Sequence, residues 1–336
     1  MIRRIKNKLT RIHTQGKYLS DDIGRLFTNP DAFYKSARGA RILIYHGICL
    51  NEPTRFNNIF ITRDTFEEHL KFYTRHFNVV SLEDYWLGNF DRERFNVCLT
   101  FDDGYANNHK YVLPFLEKYK VPASFYITGI SDAGYDILWN DYINMAGAYG
   151  PAQFSFEGID YIRNQHRKYV SKDSKVPLSV TLRDQNFYAK RKLMDYLDDC
   201  FYFRNIAEIE DYWKQMTTEQ IRELSVSPYV TIGGHGYYHN DLAAITAEEV
   251  AEELTASKKY LESITNRKVD TIAFPYGSYS KEVIDAARNV SYTKLLAMDF
   301  NMPGDKEDNQ LKERLTINPY ISVHNQMNAI INGKYY

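Results

Sequence analysis

Between Arg41 and Thr316 the chain alternates short apolar runs with longer stretches in which apolar residues recur every three or four positions. The first pattern predicts buried strands and the second amphipathic helices. RILIYHG is a run of the first kind and stops at His46. DTFEEHLKFYTRHF follows as a helix, with Phe66, Leu70, Tyr73 and Phe77 on one face and Thr62 or Asp64 placed to cap it. Next come a strand at NVV, a helix at SLEDYWLG and a strand at FNVCLTF. NNHKYVLPFLEKYK predicts a helix kinked at Pro114, and VPASFYIT a further strand. From about 131 to 215 the alternation lapses into helix-like, Tyr-rich, charged sequence without clear strands. It resumes with TTEQIRELS, PYVTIGGHG, TAEEVAEELTASKKYLESIT, DTIAFPYG, SKEVIDAARN and YTKLLAM. LTINPYIS is a last extended piece and SVHNQMNAIING a terminal helix. Strands alternating with helices imply a mostly parallel α/β sheet, open or closed into a barrel.

In such folds the C-terminal strand ends form the functional face. His46, Asp102, Asp103, His235, His239 and the turn FPYG all follow strands. Asp102 and Asp103 stand side by side where FNVCLTF stops. Neighbouring strand residues point to opposite faces, so at least one carboxylate turns inward and needs a partner there. GGHGYYHNDL offers one, because His235 and His239 lie one helical turn apart and project the same way. Two imidazoles and a carboxylate suit Zn²⁺ with a position left open for water. A cation there lowers the pKa of its water towards ~7 and keeps a second carboxylate ionised as a base. The spacing does not say which aspartate takes which part. An H-x-x-x-H pair alone is weak evidence; its place in a Gly-rich loop after a strand, with an acidic pair on another strand end, strengthens it.

Composition changes this picture little. The chain has 336 residues, 44% hydrophobic and 25% charged, enough for one large globular domain or two ordinary ones. A net charge of -1 removes any general attraction to nucleic acid. Cys49, Cys98 and Cys200 are odd in number and widely spaced, which predicts reduced packing residues and favours a cytoplasmic setting. No apolar run would span a bilayer or serve as the core of an export signal. The opening MIRRIKNKLTRIHTQGK has six basic residues and no acid, with Ile2, Ile5, Leu9 and Ile12 on one helical stripe. It reads either as a basic amphipathic helix on an anionic membrane surface or as a terminal helix packed on the domain. The expected organisation is a basic extension over 1–39 and a barrel over 40–336, with a mostly helical insert at about 131–215.

Thr100-Phe101-Asp102-Asp103-Gly104, then His235-Gly236-Tyr237-Tyr238-His239, then Phe274-Pro275-Tyr276-Gly277 resemble the ordered motifs of polysaccharide deacetylases. These share the homology domain named for the nodulation chitooligosaccharide deacetylase. The resemblance covers roughly residues 40 to 320, interrupted at 131–215. It implies a distorted (β/α) barrel with a helical excursion. It also implies hydrolysis of an N-acetyl, less often O-acetyl, group on an acetylated amino-sugar glycan or its precursor. Asp102 would be the general base, and Asp103, His235 and His239 would hold one divalent metal, Zn²⁺ or similar. The backbone N–H of Tyr276 would stabilise the oxyanion, so Tyr276 would also touch substrate. Three departures matter. Gly236 stands where the family often has Ser or Thr. Ala273 stands where an Arg often orients the base, and Arg314 is a substitute for it. His324 lies near the place of a family histidine that acts as general acid, but it also reads as a cap of the terminal helix, and His46 is a rival. Trp139 in LWNDY would line a sugar subsite or close the barrel end.

Three other readings compete. A silent glycan-binding barrel would not need both acids and both histidines. A glycosyltransferase would need a phosphate-cradling Gly-rich loop after the first strand, which is lacking. The same chemistry on a non-sugar amide stays open. For a cytoplasmic chain the expected substrate is a lipid-linked or nucleotide-linked amino sugar, with residues 1–17 docking at the inner face of the membrane.

Overall fold

The computed structural model describes the backbone of residues 2–25 and 30–336 and the side chains of residues 13–24 and 31–336. A nine-stranded parallel sheet dominates it: β1 (Ala40–Tyr45), β2 (Phe77–Val79), β3 (Phe95–Phe101), β4 (Ala123–Ile127), β5 (Val230–Gly234), β6 (Thr271–Ala273), β7 (Lys294–Leu296), β8 (Leu311–Lys312) and β9 (Leu315–Thr316). Their order is β8-β7-β6-β5-β4-β3-β1-β9, with β2 and β4 sharing one edge of β3. β8 and β9 are the two halves of one short run. Lys312 pairs with Leu296 at one end of the sheet and Leu315 with Leu43 at the other. The chain therefore crosses the gap over Glu313 and Arg314 and curls the sheet into a distorted (β/α) barrel.

All seven residues of β3 are buried, as expected of a parallel strand covered on both faces. The period of two sorts its neighbours. Leu43, Tyr45, Leu99, Phe101 and Phe125 belong to the large core under the helices. Ile42, Cys98, Tyr126, Ala273 and Leu296 form a smaller cluster inside the barrel. The helix Arg63–His76 buries Phe66, Leu70 and Tyr73, and Thr62 rather than Asp64 caps it by accepting from the Thr65 N–H. Pro114 falls in the first turn of Leu113–Tyr119, just after a π turn at Asn108–Val112 that absorbs its missing N–H.

The insert holds more helix than strand, and it also carries a small sheet that the sequence did not show. Gln153–Phe156, Ile159–Arg163 and Tyr169–Ser171 form a three-stranded antiparallel sheet, set between the helix Trp139–Tyr149 and the helices Leu178–Arg183 and Phe187–Asp198. These strands are too short for alternation to show; Phe154, Tyr161 and Tyr169 supply their inner face. The insert core includes Tyr142, Leu193, Met194 and Trp213 and joins Phe60 and Tyr105 from loops after β1 and β3. It thus sits over the C-terminal end of the barrel.

At the N-terminus a helix spans Ile2–Arg25, and the expected stripe of Ile2, Ile5, Leu9 and Ile12 lies outside the described side chains. Its later part meets the terminal helix Val323–Asn332, where Asn325 Nδ2 donates to Tyr18 O at 3.1 Å. Tyr34 and Ala37 join the large core, so the segment before β1 is packed on the barrel. Among the described residues no helix is long and apolar enough to cross a membrane. All three cysteines are free thiols, Cys49 and Cys98 buried and Cys200 exposed.

Candidate functional site

The first residue after each central strand is still held in the ladder. The Asp102 N–H donates to Tyr45 O at 3.0 Å and the His235 N–H to Ile127 O at 3.0 Å. Asp102 continues the inner face of Cys98 and Thr100, and inside the barrel it meets Arg314. Arg314 Nη1 donates to Asp102 Oδ1 and Nη2 to Oδ2, both at 2.8 Å. The guanidinium is fully buried and also donates to Thr100 Oγ1 at 3.1 Å and Ala297 O at 3.3 Å. Burial resists ionisation of Asp102, but Arg314, joined by His235 and His46, holds the carboxyl below its usual range. Arg314 thus occupies the role of partner that the residue at Ala273 lacks the side chain for.

Asp103 would continue the outer face, but its backbone is left-handed (φ 76°) and turns the carboxylate to the barrel top. Asp103 Oδ1 lies 3.3 Å from His235 Nε2 and 3.1 Å from His239 Nε2, with all three residues buried. His239 (φ 56°) and Tyr276 (φ 60°) are left-handed too. Such conformations cost about 1–3 kcal/mol each for a residue with a Cβ, and they gather at functional sites.

The donor set fits a divalent cation. His235 Nδ1 lies 2.8 Å from Ala273 O, which can only accept, so this nitrogen carries the proton and Nε2 presents its lone pair. His239 Nδ1 lies 3.0 Å from the Tyr276 hydroxyl, and its Nε2 faces Asp103. Two imidazole nitrogens and one carboxylate oxygen, all within 4.8 Å of one another, match zinc chemistry.

A cavity of about 250 Å³ opens on this group and is lined by His46, Asp102, Asp103, His235, His239 and Tyr276, among others. His46 Nδ1 is buried without a hydrogen-bond partner among the described residues, and burial pushes the imidazole below its ordinary pKa. His324 does not line the cavity: it stands in the first turn of the terminal helix and bonds the Tyr34 hydroxyl. Trp139 lies beside the cavity, its indole N–H donating to His239 O at 3.3 Å.

Several supporting residues are absent from the sequence reading. Glu253, from the helix Ala247–Thr265, accepts from the Tyr237 and Tyr238 N–H groups at 2.5 and 3.0 Å and holds the loop between the histidines. A Cβ on Gly236 would lie 3.1 Å from that carboxylate, so Glu253 fills the space a Ser or Thr would use. Its signal was a carboxylate on the apolar stripe of Val250, Leu254, Leu261 and Ile264. Asn240 bonds Glu253 Oε1 at 2.6 Å and Lys190 Nζ at 2.7 Å, tying the loop to the insert. Asp141 accepts from the Tyr105 hydroxyl at 2.7 Å, and burial pushes its carboxyl up to about 8. Arg183 caps the Tyr276 ring at 4.7 Å and donates to Asp241 Oδ2 at 2.7 Å. Arg183 and Lys190 gave no signal because their segment had no legible fold.

Comparison with known proteins agrees with this arrangement. The polysaccharide deacetylase family model matches residues 91–155 and 200–295. A stretch of 77 residues is 27% identical to YxkH of Bacillus subtilis; it covers 23% of this chain and only about a quarter (27%) of YxkH. The Streptococcus pyogenes deacetylase PplD, solved in complex with acetate, superposes with a TM-score of 0.56 at 18% identity, over 87% of this chain and 97% of PplD. IcaB from Ammonifex degensii gives 0.52 at 19% identity, over 88% of this chain and 98% of IcaB. The polysaccharide deacetylase BC0361 from Bacillus cereus gives 0.53 at 18%, over 87% and 68% of the respective chains. At these identities the structural likeness is one of fold.

Proposed function

From the match of the polysaccharide deacetylase family model to residues 91–155 and 200–295, and from the shared fold, we propose that this chain is a metal-dependent hydrolase that removes an acetyl group from an N-acetylated sugar of a polysaccharide or its precursor. The observation that carries this reading is the buried Asp103, His235 and His239 group beside the Asp102–Arg314 pair on one cavity floor. A divalent cation held by those three residues, zinc by the character of the donors, supplies a Lewis acid for the acetyl carbonyl and acidifies water.

The chain's own residues do the rest. Asp102 takes the proton of the attacking water, and Arg314 keeps it ionised and fixes both of its oxygens. The Tyr276 backbone N–H, turned by its left-handed conformation, donates to the carbonyl oxygen as charge builds on it. His46 passes a proton to the leaving amine. Burial lowers the pKa of its ring, so the proton it passes on is the one that Asp102 has taken from the water. His324, seated away from the cavity, is the weaker choice for this step. A cytoplasmic location, with residues 1–17 docked on an anionic membrane, completes the reading; membrane fractionation after deletion of residues 1–20 tests it.

The test of the activity is metal content of wild type and His235→Ala after zinc equilibration, followed by acetate release from N-acetylated sugars. One equivalent in the wild type, little in the variant and acetate release from the loaded protein are expected. A wild type without bound metal would remove this mechanism and leave a glycan-binding barrel.

A further inference from the structure

The insert also grips the loop between His235 and His239. Its helix Phe187–Asp198 presents Phe187 and Lys190, one turn apart, to that loop. Phe187 stacks on Tyr238, with ring centroids 4.5 Å apart and planes 9° from parallel. Lys190 is fully buried, which is uncommon for a lysine and costly without partners. Its Nζ donates to Asn240 Oδ1 at 2.7 Å and lies 4.8 Å from the centre of the Trp139 ring. Both partners are tied to the second histidine. Asn240 follows His239 in the chain, and the Trp139 indole N–H donates to His239 O at 3.3 Å. The amide of Asn240 donates in turn to Glu253 Oε1 at 2.6 Å, while Glu253 Oε2 takes the Tyr237 and Tyr238 N–H groups. One buried cation and one buried carboxylate thus meet through a single amide, with the loop between them.

Resting on the metal-dependent reading, we infer that Lys190 is a positioning residue for the metal group: from the insert it holds His239 in the backbone conformation that turns Nε2 to Asp103. His239 is left-handed (φ 56°), and a residue with a Cβ keeps that conformation only where its surroundings over-determine it. Those surroundings end on Lys190 along two routes, through Trp139 to the His239 carbonyl and through Asn240 to Glu253. Without the ammonium, Glu253 is a buried carboxylate with no nearby countercharge in this network. Asn240 then has no reason to point its carbonyl oxygen at the insert, and the loop loses its fixed register. Nε2 of His239, now 3.1 Å from Asp103 Oδ1, leaves the common point that the three donors share.

Burial pulls the pKa of Lys190 down to about 8 against the pull of Glu253, Asp241 and Asp184, so the ammonium keeps its charge at neutral pH. Lys190 lies outside residues 91–155 and 200–295, the stretches that the family model matches. The group that completes the network is therefore supplied by this chain's insert.

Measurements on the full-length protein at pH 7, with and without metal, test this. Lys190→Met should lower zinc affinity about tenfold or more in competition with a chelator. It should also shift the visible bands of the cobalt(II)-loaded protein, which follow ligand geometry. In the metal-free protein it should speed amide exchange of residues 236–240 about tenfold and leave the strand Phe95–Phe101 as protected as in the wild type. A lysine that only stabilised the fold would loosen both segments together and leave the cobalt bands in place. Lys190→Met combined with Glu253→Gln removes both charges, and Asn240, released from the lysine, can turn its amide over to accept from the new one. This pair should bind zinc at least about threefold tighter than Lys190→Met alone. It buries no unpaired charge, so where Lys190→Met does not fold, the pair must fold and bind zinc more tightly than Glu253→Gln alone. Unchanged zinc affinity or unchanged cobalt bands in a folded Lys190→Met overturn the inference, as does a pair no tighter than the single variants. A wild type that takes up no zinc overturns the deacetylase reading instead, and amide exchange at residues 236–240 still decides whether Lys190 holds the loop.

Discussion

At the residue scale the site rests on a buried ion pair and on backbone strain. Asp102→Asn should leave metal content intact and lower acetate release by about 10²–10⁴-fold, the usual worth of a general base. Arg314→Met leaves the Asp102 carboxylate buried without its partner and should destabilise the fold by about 3–5 kcal/mol in urea titration. Arg314→Lys should rescue little, since a single ammonium cannot match both carboxylate oxygens. Gly104 follows the aspartates with φ 83°, and a Cβ there would lie 2.9 Å from Ile127 Cγ2. Gly104→Ala should therefore cost at least the ~1–2 kcal/mol of a left-handed residue, read from the same titration. His69 sets an acid limit on the fold. It is buried against the Tyr45 hydroxyl at 3.0 Å, and burial lowers its pKa to about 3. The unfolded ring takes a proton below about pH 6.5 and the folded ring does not. Its contribution is complete above that pH and is lost by about 1.4 kcal/mol per unit as pH falls from 6.5 towards 3. Replacing His69 by Gln should flatten the stability–pH slope over that window.

At the element scale the loop between the two histidines is the part most dependent on its surroundings. It is neither helix nor strand, and its N–H groups at Tyr237 and Tyr238 end on Glu253 from a neighbouring helix. Glu253→Ala should lower zinc affinity about 10–100-fold, the usual effect of removing an outer partner of a ligand, with zinc competition against a chelator as the readout. The sequence announced the helix Ala247–Thr265 clearly, through its apolar stripe and the Thr246–Glu249 capping box. The task of Glu253 was not announced, because its partners are backbone groups 15 and 16 residues away. The insert was the least legible element. Its three strands have four, five and three residues, too few for a period of two to show.

At the scale of the whole molecule, the metal group joins segments that fold apart in sequence: β3, β5 and the turn after β6 all end at one cavity. Ligand binding to this native arrangement is linked to folding. Zinc at about 100 times its dissociation constant should add about 2.7 kcal/mol of stability, seen as a higher melting temperature that a chelator reverses. His235→Ala should show no such rise.

The sequence by itself determined the strands and helices of the barrel, the parallel α/β class and the identity of the groups at the strand ends. These are local properties: hydrophobic period, caps, and polar residues placed directly after apolar runs. It also offered one of the two aspartates with His235 and His239 as one group, because parallel topology sends every such strand end to the same face; the choice of Asp103 came from the family resemblance. Only the tertiary structure decided how the barrel closes, through the split run Leu311–Thr316, and that this closure delivers Arg314 to Asp102 across more than two hundred positions of chain. It also decided that the insert brings Arg183 onto the Tyr276 ring at the wall of the cavity. Pairings of that kind depend on which distant segments share a wall, and no local pattern in the chain encodes that.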